Sequence, residues 1–182
     1  MRPLLVGRRD ALRVPFAVEP DPPPQSADTS AAPVGRLRGT IGGSWGAYWY
    51  NGYIYSSELA RGFDILELVP SDKLSANELA AAKLVKWDEY NPQSQPRIVW
   101  PAAFPVVRSY LDQLVRGEGL PAARTTAIAR ALTAAERQSG AARKAALTRL
   151  AAGVEKDANG AKDAARVRAM AAAIRDLAAA TR

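Results

Sequence analysis

The chain has 182 residues and a net charge of +7, with neither cysteine nor histidine. That composition excludes disulfides, thiol nucleophiles, Ser-His-Asp triads and zinc held by Cys or His. No apolar run reaches the length that spans a bilayer, and the length suits one ordinary domain or two small ones.

Residues 1–35 are expected to be a disordered leader or linker. Pro20-Asp21-Pro22-Pro23-Pro24-Gln25-Ser26 and the Ser/Ala run after it have no periodicity and too few large apolar side chains to offset chain entropy. Val14 to Val18 could add a stray strand. The first ten residues lack the apolar core of a signal peptide.

Residues 36–70 read as one antiparallel β-meander. Ala47–Tyr50 is aromatic, and Asn51-Gly52 suits a two-residue type I′ turn, which needs positive φ at both positions. Tyr53–Ser57 returns, Ala60-Arg61-Gly62 turns again, and Phe63–Leu68 is a third strand. A three-stranded meander buries little on its own.

Two features of this block invite a chemical reading. Glu58, Arg61 and Asp64 crowd one turn. They could be an acid/base pair beside an anion-holding arginine, a minor hydrolase alternative, but the plainer reading is an Arg–carboxylate lock between strands. Trp45, Tyr48, Trp49, Tyr50, Tyr53 and Tyr55 could stack against sugar rings or bases. Aromatics alternating on adjacent strands more often pack against a neighbouring sheet.

Tyr-Ile-Tyr-Ser-Ser-Glu-Leu-Ala-Arg-Gly-Phe-Asp-Ile-Leu-Glu-Leu at 53–68 resembles one repeat of the LVIVD-repeat β-propellers of bacteria. Ser-Trp-x-x-Tyr-Trp-Tyr-Asn-Gly at 44–52 resembles the last blade of members that continue into a helical tail. The likeness covers roughly residues 36–120. It implies a propeller-blade-like unit from a surface or secreted protein that binds a protein or glycan ligand. Propellers have roughly four to eight blades and this chain carries one, so a C-terminal fragment with its upstream blades missing is expected.

From Leu74 the period lengthens to that of a helix. Ser75-x-x-Glu78 has the capping-box spacing, and a helix is predicted to about Lys86, followed by a Pro-rich linker to residue 101. Residues 102–182 are predicted to form an α-helical bundle. Pro101 opens its first helix, with Val107, Leu111 and Leu114 inward and Arg108, Asp112 and Arg116 paired along the outer face. Gly117 and Gly119 end that helix. The next, after Pro121, turns Ala127, Ile128, Ala131, Leu132 and Ala135 inward and stops at Gly140. Leu147, Leu150, Ala151 and Val154 mark the following helix. Val167, Met170, Ala171, Ile174 and Leu177 mark the last. Asp157-x-Asn159-Gly160-x-x-Asp163 lacks the calcium-loop spacing and reads as a helix-capping turn.

The fold class is therefore α+β. Residues 1–103 carry 11 basic and 11 acidic side chains, and residues 104–182 carry 14 and 7, so the charge excess lies on the bundle. It could bind an anionic polymer, nucleic acid or a cell-wall polyanion. The arginines alternate with acids and lack interleaved aromatics, which disfavours nucleic acid. No cofactor is implied. The expected function is a non-enzymatic binding protein.

Overall fold

The computed structural model describes residues 13–14, 43–59, 62–94 and 97–182. Its elements in chain order are strands β1 (Arg13–Val14), β2 (Ser44–Tyr50), β3 (Tyr53–Glu58) and β4 (Gly62–Leu68), then helix α1 (Ala76–Leu84). A 3₁₀ turn (Pro92–Ser94) precedes α2 (Phe104–Arg116), α3 (Ala122–Glu136), α4 (Gly140–Asp157) and α5 (Ala164–Ala180). The molecule is an α+β protein, a meander followed by helices.

The sheet order is β1-β4-β3-β2. Strands β2, β3 and β4 are antiparallel neighbours, and Arg13–Val14 adds a short parallel bridge to β4 opposite Glu67 and Leu68. The rest of the predicted disordered leader lies outside the described residues. Asn51 and Gly52 have φ of 51° and 101°, as a type I′ hairpin turn requires. A bulge between Ser44 and Gly46 interrupts the β2–β3 register.

The capping box at Ser75 is complete. The Ser75 hydroxyl accepts from the Glu78 N–H, and the Glu78 carboxylate accepts from the Ser75 N–H. Helix α2 starts at Phe104 rather than Pro101, because it is Pro105 that occupies the first turn, where the missing N–H costs nothing. Arg108, Asp112 and Arg116 do not pair with one another as predicted. Arg108 reaches Glu136 on α3, Asp112 accepts from Asn77 on α1, and Arg116 grips Glu78 on α1. Each is a link between helices.

Helix α3 buries Thr125, Ile128, Leu132 and Ala135, while Ala127 is exposed. Gly140 does not stop α3, which ends at Glu136; it is the first residue of α4, at φ 52°. The main hydrophobic cluster lies in the C-terminal half, around Val107, Leu114, Ile128, Leu147, Met170 and Ile174, with Leu120 and Ala158 added from the connections. Leu79, Ala81 and Val85 are buried apart from it, in and just after α1. Asp163 caps α5 by accepting from the Arg166 N–H, and Asp157 holds Arg124, so both acids of the calcium-like stretch have structural work.

Candidate binding face on the sheet

Alternation along the strands sorts the aromatic residues into two faces. Tyr48 lies opposite Tyr55, which lies opposite Ile65; Tyr50 lies opposite Tyr53, and Ser57 opposite Phe63. These residues share one face. Trp49, Ile54 and Leu66 form a cross-strand row on the other, where all three are half-buried.

The tyrosine face is open. Phe63 is 61% exposed, Ile65 52%, Tyr48 46% and Tyr53 43%. Trp45, at the bulge, is more exposed still. A protein of this size does not normally leave so many large apolar side chains side by side in water, unless something docks on them.

The hairpin tip is clasped to the segment after α1. The Asn51 side-chain amide donates from Nδ2 to the Trp87 carbonyl at 2.9 Å, and its Oδ1 accepts from the Trp87 N–H at 2.9 Å. One side chain thus satisfies both backbone groups of Trp87. The Tyr50 hydroxyl donates to the carbonyls of Trp87 and Asp88 at 2.8 and 3.1 Å, and Lys86 Nζ donates to the Asn51 carbonyl at 3.2 Å. Trp87 and Tyr90 stack in parallel with centroids 4.6 Å apart. From that pair, Trp87 meets Trp49 edge-on and Tyr90 meets Tyr50, both at 6.1 Å. Because Trp49 and Tyr50 alternate to opposite faces, the pair straddles the end of β2.

Tyr48, Tyr50, Tyr55 and Tyr90 together line an open groove of about 360 Å³. Three of the six predicted aromatic residues therefore meet in one place. Tyr53 lies beside them on the same face, Trp49 belongs to the opposite face, and Trp45 stands apart. Trp87 and Tyr90 both fall in the segment after the helix that the sequence predicts to about Lys86. Their only signal, two aromatics three apart in Lys86-Trp87-Asp88-Glu89-Tyr90, is a helical spacing and gives no hint of a contact with the sheet.

The predicted turn is less fully seen. The register sets Glu58 opposite Gly62 and Asp64 opposite Ser56. Arg61 and the Glu58 side chain lie outside the described residues, and so does the lock proposed for them. Asp64 is half-buried. Among the described residues, no group of three or more acidic side chains is placed to hold a metal ion, and no helix is long and apolar enough to cross a membrane.

The ion pairs of the helices hold five arginines in place and leave the net basic excess of residues 104–182 standing. Arg108, Arg116, Arg124, Arg166 and Arg175 each contact a carboxylate within 3.3 Å. Comparison with known proteins finds no matching family model, no matching curated protein and no matching solved structure.

Proposed function

We propose that this chain is a non-enzymatic binding unit and that the open tyrosine face of its sheet is the docking surface. The single observation that carries the reading is the row of exposed Tyr48, Tyr53, Phe63 and Ile65 on adjacent strands. Each is already about half covered, so burying what remains of Phe63 or Ile65 is worth on the order of 1 kcal/mol, and the row together favours a complementary surface. The LVIVD resemblance supplies the kind of surface, a neighbouring blade or a protein or glycan ligand of a surface or secreted bacterial propeller. The parallel Arg13–Val14 bridge departs from the all-antiparallel meander of a blade, so the resemblance supports the reading through β2–β4.

The second reading, an anionic polymer on the bundle, draws support from the charge excess of residues 104–182. It is weakened by the alternation of the arginines there with acids and the lack of aromatics among them.

Photo-crosslinking in the producing cell separates the two. A photoreactive residue at position 63 probes the sheet face, and one at position 168 probes the exposed outer side of α5. The docking reading expects capture of a partner at 63 and little at 168. Capture at 168 alone would favour the bundle and contradict the sheet.

A further inference from the structure

The groove between Tyr48, Tyr50, Tyr55 and Tyr90 has walls made of aromatic rings alone. The Tyr50 ring is tilted 60° from Tyr55 and 28° from Tyr90, with centroids 6.1 Å away in each case. Ring faces therefore meet a guest from more than one direction. Two of the walls are set in advance. Tyr50 is tethered through its hydroxyl to Trp87 and Asp88, and Tyr90 lies flat on Trp87.

Aromatic ring faces carry a negative quadrupole and attract cations. They also stack on neutral rings, so surrounding charge decides between guests. The loop that carries Tyr90 presents exposed Asp88 and Glu89 against one exposed lysine, Lys86, whose ammonium is turned to the Asn51 carbonyl, and no Lys or Arg lines the groove. Residues 43–96 hold seven acidic and four basic side chains, in a chain whose net charge is +7. The segment that carries the sheet and the Tyr90 loop is thus acidic within a basic chain. The volume lies near the small end of the range for ligand pockets, about 300–1,000 Å³, and suits a compact head group.

We infer that this groove binds the quaternary ammonium group of a small soluble molecule. The inference rests on the reading of this sheet face as a docking surface, and it names the chemistry accepted at one end of that face.

The test is a titration of the full chain with choline, followed by the NMR signals of the tyrosine rings. A parallel titration uses 3,3-dimethylbutan-1-ol, which has the same shape without the charge. Saturable choline binding, about two- to fivefold tighter than the neutral analogue, is expected for a cation at a partly exposed aromatic site. Tyr48→Leu keeps an apolar side chain in the wall and should remove most of that preference; Tyr90→Leu, in the loop, should do the same if the strand variant misfolds. Equal binding of the two compounds, or no ring response to choline, overturns the inference. Binding to phosphatidylcholine vesicles without a response to choline also overturns it, because the affinity would then belong to the bilayer. Photo-capture at position 63 does not depend on the groove, so failure of the choline titration and failure of the docking reading give different results.

Discussion

At the scale of single residues, Asn51 has two separable roles. Its φ of 51° serves the turn, and its amide satisfies both backbone groups of Trp87. Asn51→Gly keeps the first role and removes the second. The buried part of that loss is worth about 1–2 kcal/mol. The Trp87 amide should then exchange rapidly with solvent while the β2–β3 amides near the turn stay protected. Glu118 is the converse case. Helix α2 ends in a Schellman arrangement, with the Gly119 N–H donating to Leu114 O and the Glu118 N–H to Val115 O. The residue in the left-handed position is Glu118, at φ 50°, and not either of the glycines beside it. Gly119 is needed for space instead, since a Cβ there would lie 2.6 Å from Leu114 Cδ2. Glu118→Gly should therefore raise stability by about 1 kcal/mol, measurable as a higher midpoint in urea. The Gly-Glu-Gly run showed that the helix stops, but the sequence had no means of telling which of its residues turns left-handed.

At the scale of elements, the junction of α1 and α2 is fastened by a charged pair. Arg116 donates two hydrogen bonds to the Glu78 carboxylate at 2.8 and 2.9 Å, alongside the bond from the Ser75 N–H. Burial opposes ionisation of Glu78, yet the hydrogen bonds from Arg116 and Ser75 outweigh it and hold the carboxyl below its usual range. The same hydrogen bond raises Arg116. A depressed carboxyl contributes stability that is present above the unfolded value of about 4.3 and is lost as pH falls through the folded value. Glu78→Gln should cost about 1 kcal/mol at neutral pH. The gap between the melting curves of the two proteins should close as pH falls below about 4. A gap unchanged at acid pH would assign the loss to packing. The capping box was legible because it is a local pattern. The grip of Arg116 on Glu78 was not, because the two are 38 positions apart, and the i,i+4 spacing of Arg108, Asp112 and Arg116 pointed to a closer pairing that the neighbouring helices displace.

At the scale of the whole molecule, the core and the candidate site lie in different parts of the chain. Every member of the main hydrophobic cluster falls between residues 104 and 178. The sheet is joined to the helices through the Asn51–Trp87 clasp and the Lys83–Glu67 ion pair at 2.9 Å. Amide exchange should accordingly show strong protection in α2–α5 and earlier opening of β2–β4. The helical half was readable because apolar residues at a period near 3.6 name their own inner face, as Val167, Met170, Ala171, Ile174 and Leu177 do. The misplaced Ala127 shows the limit of that reading, since an alanine carries too little apolar area to fix a helix's rotation. The meander was readable from Asn51-Gly52. Which face of it stays open was not, because Trp87 and Tyr90 return to the sheet from beyond α1.

The central claim is that the tyrosine face docks a partner. Hydroxyl-radical footprinting of Tyr48 and Phe63 tests it most directly, comparing the purified protein with the same protein in its producing cell. The account predicts rapid oxidation of both side chains in the purified protein and marked protection in the cell. Equal reactivity in the two settings would contradict it.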